Sequence, residues 1–200
     1  MIKMTLYEYD CKMRERFPII VGVDEAGRGP LAGDVYAAAV ILPPDCIIEG
    51  VNDSKKLTEK KREALFDEII EQAEAYCIAT ATVAEIEELN ILNAAMLAMS
   101  RAIEGLGVEY NLAMIDGNKT PQISGNSVAV VKGDATSQSI AAASILAKVA
   151  RDRYMLDLDR RYPEYQFSKH KGYGTKLHYE MLKKYGPSEV HRPSFLKKMH

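Results

Sequence analysis

The chain lacks the marks of several large protein classes. Its 200 residues contain no apolar run near the roughly 18 residues that a membrane span needs. The N-terminal stretch is interrupted by Lys3, Glu8, Asp10, Lys12 and Arg14. It therefore lacks the apolar core of a secretory signal, and a cytoplasmic location is expected. Cysteine is scarce: Cys11, Cys46 and Cys77 are an odd number without metal-type spacing, read as reduced and incidental. The four histidines, His170, His178, His191 and His200, all fall late and form no His-Glu-x-x-His zinc pattern. Taken singly, each reads as structural or surface. There is no Gly-x-x-x-x-Gly-Lys-Ser/Thr phosphate loop, no Gly-x-Ser-x-Gly elbow, no internal repeat and no low-complexity stretch.

What is present is an ordinary globular composition, 47% hydrophobic, at a length that predicts one domain. Residues 1–160 are expected to form its body, and 161–200 a basic helical segment packed on it. The net charge is only −2, but it is unevenly spread. Residues 1–147 carry 13 Lys/Arg against 22 Asp/Glu, and residues 148–200 carry 13 against 6. An acidic body with a basic tail suits a protein that grips a polyanion at one end. A solvated helical face has the same composition.

Apolar patterning predicts strands over residues 19–23, 35–42, 75–83, 111–115 and 127–131. Helices are predicted over 2–16, 58–73 with Thr58 as its cap, 84–106 with a break near Asn90, 137–158 and 175–184. Met96 and Met99, on the face of the third of these, read as core filler. Strands interleaved with helices predict an α/β fold, a mixed sheet with helices on its faces.

Four acids share one context. Asp24, Glu25, Asp116 and Asp134 each follow an apolar strand and stand close to glycine. Any one of them can be a plain turn residue, but strand ends on one sheet edge converge, and four in matching context point to a site. Clustered carboxylates repel one another unless cations join them. An all-oxygen set selects hard ions such as Mg²⁺ or Mn²⁺, and two such ions suit phosphoryl transfer. Asp24 and Glu25 are adjacent, so on a regular strand they face opposite ways. Both reach one site only if the strand ends or bulges between them, as Gly27 and Gly29 would permit.

The segments carrying these acids resemble the ribonuclease HII family. The matching stretches are Asp24-Glu25-Ala26-Gly27-Arg28-Gly29-Pro30-Leu31-Ala32-Gly33, Asp53-Ser54-Lys55-Lys56-Leu57 and Ile115-Asp116-Gly117. Further matches are Lys132-Gly133-Asp134, Ser139 to Ile145 with Ala147-Lys148-Val149, and His170-Lys171-Gly172-Tyr173-Gly174. The resemblance implies a ribonuclease H-like fold with a mixed five-stranded sheet and a C-terminal helical appendage. It implies an endonuclease that uses two Mg²⁺ or Mn²⁺ ions. Such enzymes cut the RNA strand of RNA–DNA hybrids and cut 5′ of a single ribonucleotide in duplex DNA, leaving 3′-hydroxyl and 5′-phosphate ends. It further implies that Asp24, Glu25, Asp116 and Asp134 are catalytic metal ligands. Gly27, Arg28 and Gly29 would contact the ribonucleotide and its 2′-hydroxyl, and Tyr173 would stack on the next deoxyribose.

Lys55, Lys56, Lys169 and Lys171 are candidate phosphate contacts, and Lys148 a partner of the acids or a plain salt bridge. Asp34 departs from the family pattern, which has proline there. It is expected to add a carboxylate near the site and to loosen the backbone. Two rival readings are a ribonuclease HIII-like enzyme and a non-catalytic nucleic-acid-binding domain. The short N-terminal stretch and Arg28 between its glycines favour HII over HIII, and all four acids argue against the binding domain. The tail carries no convincing motif for a sliding clamp, and a monomer is expected.

Overall fold

The computed structural model describes residues 4–197. Helix α1 (Leu6–Arg14) begins in a capping box, where the Thr5 hydroxyl accepts from the Glu8 N–H and the Glu8 carboxylate accepts from the Thr5 N–H. The part of this helix expected at residues 2 and 3 lies outside the described residues, as does His200. Strands β1 (Ile20–Ala26) and β2 (Val35–Ile41) follow, then helix α2 (Glu59–Gln72), capped by Thr58. Next come β3 (Ala75–Ala81), α3 (Val83–Leu89) and α4 (Ile91–Glu104). The break between α3 and α4 falls at Asn90, as the sequence predicts. Its φ of 68° stops one helix, and its side chain accepts from the Leu92 and Asn93 N–H groups to start the next.

Strands β4 (Leu112–Asp116) and β5 (Ser127–Val130) lead into the long α5 (Gln138–Arg161). The C-terminal part holds α6 (Phe167–His170), α7 (Lys176–Tyr185) and α8 (Pro193–Leu196). The five strands form one mixed sheet in the order β3-β2-β1-β4-β5. β1 pairs antiparallel with β2, and β2 with β3. β4 pairs parallel with β1, and β5 with β4. This is the mixed five-stranded sheet expected.

Each face of the sheet is closed by one small-residue helix. On one, Ala94, Ala95, Ala98, Met99 and Ala102 of α4 bury against β1, β2 and β3. Met99 has no exposed surface, in keeping with its reading as core filler. On the other face, Ala141, Ala142, Ala143 and Ala147 of α5 pack against Ala38 and Val40. The approach is close at Gly22, where an added Cβ would lie 2.1 Å from the Ser139 carbonyl carbon. Small side chains therefore bring the start of α5, and Asp134 just before it, down onto β1. Residues 161–197 fold back: Leu31 and Ala32 share a cluster with Tyr165, Phe167 and Leu182, and Ala32 pairs with His191. Among the described residues no helix is long and apolar enough to cross a membrane.

Candidate active site

Register explains why two distant acids meet. β1 and β4 run parallel with Val23 opposite Ile115, so the next residue on each strand is an aspartate, Asp24 and Asp116. Residues in step on neighbouring strands point to the same face. Asp134 arrives from a short turn, Gly133–Ala135, rather than from a strand end. Asp116 fastens that turn: its Oδ1 accepts from the Gly133 N–H at 2.7 Å and the Asp134 N–H at 3.3 Å. The outcome is a cluster in which Asp24, Asp116 and Asp134 each offer an oxygen, all within 4.8 Å of one another.

Glu25 lies outside that cluster, and the strand does not bend to bring it in. β1 keeps its pairing with β2 straight through both acids, Asp24 opposite Ala38 and Glu25 opposite Ala37. The expected end or bulge is absent because β2 continues as partner to Ala26, and the turn glycines come only afterwards. Glu25 instead stands 3.4 Å from Arg28 Nη1. It still feels the cluster. Burial raises its carboxyl above the ordinary range, Arg28 opposes that, and Asp116 adds to it.

Burial also raises Asp24 well above the usual carboxylate range, with Glu25 and Asp116 adding repulsion. Asp134 is raised by burial, then by Asp116 and Asp53. Lys55 lies beside them: burial works against its charge, but the fields of Asp24, Asp134, Asp53 and Asp116 outweigh it and hold the ammonium above its ordinary value. Buried carboxylates this close must take up protons or share a cation. A donor set made only of carboxylate oxygens fits a hard divalent ion.

Asp24 and Glu25 line a cleft of ≈ 450 Å³ together with Gly27, Arg28, Gly29, Lys55, Lys148 and Tyr173. Gly27 has φ +100°, and a Cβ there would lie 2.1 Å from Arg151 Nε. Only glycine fits. Gly29 lies against the Tyr173 ring, and Tyr173 is 42% exposed, leaving a face free for a partner. Lys148 ion-pairs with Asp152 at 2.7 Å, which is the plain salt bridge, though it lines the cleft too.

Other candidates are elsewhere. Lys56 points outward beside Asp53, and Lys169 and Lys171 bond Gln166 and the Ser168 carbonyl. Asp34 adds no carboxylate to the cleft: its Oδ1 accepts from the Val83 N–H at 2.9 Å, which caps α3.

Two buried arginines shape the cleft without a local sequence signal. Arg192 has no exposed surface and donates to the carbonyls of Gly27, Arg28, Pro30 and Gly33 at 2.6–3.1 Å. Arg151 donates to the carbonyls of Lys171 and Ala32, tying the Tyr173 turn to the glycine loop. Ser144, on α5, lines the cleft and donates to Ser54 at 2.8 Å.

A mixed sheet of this order with carboxylates gathered at a parallel pair defines the ribonuclease H-like nucleases. Two solved structures share it. Ribonuclease H2 from Pyrococcus horikoshii aligns with TM-score 0.73 and 28% identity, covering 88% of this chain and 93% of that one. Ribonuclease HII from Archaeoglobus fulgidus, solved in complex with PCNA, aligns with TM-score 0.72 and 25% identity over 90% and 94%.

Within that class the chain belongs to the ribonuclease HII family, whose model matches residues 21–198. Ribonuclease HII of Caldicellulosiruptor bescii is 57% identical over 185 residues, 92% of this chain and 90% of the relative. That of Burkholderia cenocepacia is 58% identical over 177 residues, 88% and 83%. The protein is a ribonuclease H enzyme.

Proposed function

We propose that this enzyme hydrolyses the RNA strand of RNA–DNA hybrids and cuts 5′ of single ribonucleotides in duplex DNA, leaving 3′-hydroxyl and 5′-phosphate ends. The observation that carries the reading is that Asp24, clustered with Asp116 and Asp134, lines the same cleft as Gly27, Arg28, Gly29 and Tyr173. The three aspartates would hold Mg²⁺ or Mn²⁺, with Glu25 beside them completing a set for two ions. Bound there, such ions supply Lewis acidity toward a phosphoryl oxygen and a water of lowered pKa.

The chain's own groups do the selecting. Arg28, half exposed, offers a planar fork to phosphate oxygens. Glycine at 27 and 29 lets the backbone approach a ribose, whose 2′-hydroxyl distinguishes RNA from DNA. Tyr173 offers its exposed ring to the sugar on the 3′ side, where a deoxyribose packs and an added hydroxyl crowds. Lys55 reinforces the attraction for a polyanion while balancing the acids.

Its work lies in the cytoplasm, where the three free thiols stay reduced. The test is a labelled duplex with one ribonucleotide, incubated with Mg²⁺ or Mn²⁺, and the cut position mapped. We expect a cut 5′ of the ribonucleotide, abolished by EDTA and by Asp134→Asn while some binding persists. Undiminished cutting in EDTA would refute the metal reading, and a cut elsewhere would refute the substrate reading.

A further inference from the structure

Three histidines are buried behind the Tyr173 turn, away from the acids: His170, His178 and His191. Their hydrogen bonds fix a direction. The Ser188 N–H can only donate, and it reaches His191 Nδ1 at 3.0 Å. Neutral His191 then carries its proton on Nε2, which lies 3.1 Å from His178 Nε2. At the far end, His178 Nδ1 lies 2.9 Å from the Tyr173 carbonyl, which can only accept. His178 therefore carries its proton on Nδ1 and presents a lone pair at Nε2. The two independent assignments meet as one donor and one acceptor, so the chain closes without conflict. Burial pushes both His178 and His191 down to about 4, which keeps them neutral as the chain requires.

His170 completes the brace. It stacks on His178 at 4.3 Å, its Nδ1 accepts from the Gly172 N–H, and its Nε2 faces the Tyr165 carbonyl. The turn it supports holds a non-glycine residue in the left-handed region, Lys171 at φ 49°, which costs the backbone, and is followed by Gly172, which takes φ 82° freely. The ring of Tyr173 leaves this turn toward the cleft, 5.9 Å from Arg151.

We propose that His178, oriented through Ser188 and His191, is a positioning residue that fixes the Tyr173 backbone and thereby sharpens recognition of the RNA-to-DNA junction. The proposal rests on the reading of Tyr173 given above. It acts through an aromatic residue on the substrate side and leaves the acids untouched. Its signature is a loss on the single-ribonucleotide duplex that exceeds the loss on a continuous hybrid.

The experiment compares kcat/KM on those two substrates for wild type, Y173A, H178L, H178N and Y173A/H178L. Loss of the bond to Tyr173 should lower the junction-to-hybrid ratio about tenfold in H178L, the worth of one hydrogen bond. Asn at 178 carries its amide N–H near the Nδ1 position and should restore most of the ratio. The double variant should have the ratio of Y173A alone, because a residue that acts through Tyr173 has nothing left to act on. Equal losses on both substrates in H178L, or additive losses in the double variant, would overturn the proposal. If Y173A lowers the ratio and H178L does not, the positioning role fails while the reading of Tyr173 stands. If Y173A leaves the ratio unchanged, the reading fails and takes the proposal with it. Nitrogen-15 NMR of the wild-type histidines supplies a check that needs no variant to fold. We expect the Nδ1–H tautomer at His178 and the Nε2–H tautomer at His191, and the reverse pair would overturn the chain.

Discussion

Replacing Asp24 by Asn sets stability against activity at one atom. Asp24 is 5% exposed and shares the cluster in which three carboxylate oxygens lie within 4.8 Å. At that separation and an effective dielectric constant of about 20, one pair of unit charges repels by about 3.5 kcal/mol. Asp24 faces two such partners. Proton uptake and Lys55 relieve much of this, so we expect metal-free D24N to be more stable than wild type by about 2 kcal/mol. In a chain of this size that raises Tm by about 4–8 °C. Asn retains the shape and can still accept from the Glu25 N–H, now 2.7 Å from Asp24 Oδ1.

The sign with pH follows from the raised carboxyl. Between the ordinary value of 3.8 and the higher folded value, the folded chain keeps a proton that the unfolded chain has released. Wild-type stability therefore falls as pH rises through that window, and the advantage of D24N is largest above it and fades toward pH 4. Saturating Mg²⁺ reverses the comparison, because a ligand at 100 times its Kd stabilises by about 2.7 kcal/mol and the variant has lost a ligand. The assay is thermal unfolding with and without metal, alongside cleavage, which D24N should lose. A metal-free D24N that melts below wild type, or an equal metal increment in both, would refute the reasoning.

Two further outcomes are expected. R192M removes five donated hydrogen bonds from a buried guanidinium, leaving carbonyls of the glycine loop unpaired. Water entry satisfies some of them, so unfolding should register a loss of about 3–5 kcal/mol, with R192K intermediate because it offers three donors; a wild-type melt for R192M would show the clamp to be idle. E25D shortens by one methylene an acid that already stands outside the cluster, and a misplacement near 1 Å can cost about 10²-fold in rate. We expect kcat to fall sharply with folding intact, and steady-state kinetics at the wild-type rate would remove Glu25 from the ligand set.

How much of this the chain announces depends on how local each cause is. Asp24, Asp116 and Asp134 were legible because each follows an apolar strand, and parallel register then carries two of them side by side. The break at Asn90 was legible because a residue that tolerates positive φ and caps a helix sits between two helical patterns. The bend expected between Asp24 and Glu25 is absent for a reason its neighbours hide: the glycines follow Ala26, and β2 holds the strand straight up to that residue. Asp34 was read by proximity in sequence, but its side chain caps a helix 49 residues away. Arg192 and His178 had no local signal. The Arg192 bonds span about 160 residues of chain, and a basic residue next to a proline looks like surface until the tail folds back.

The straight run of β1 also divides the labour of the cleft. The acids are held by hydrogen-bonded sheet and by the small-residue approach of α5, a rigid frame that concentrates charge it cannot neutralise alone. The glycine loop and Tyr173 are held from the other end of the chain, by Arg192, Arg151 and the histidines, through bonds that reach backbone carbonyls. Changes in the frame should therefore alter metal affinity and rate, whereas changes in the tail should alter which sugar is accepted. The two supports meet at α5, which carries Arg151, and at the segment from Glu25 to Gly27. There Glu25 lines the cleft with Asp24 and stands 3.4 Å from Arg28, between the group that binds charge and the group that reads the substrate. An acid in that position is set to respond to both, which is the physical reason to expect its length to matter as well as its charge.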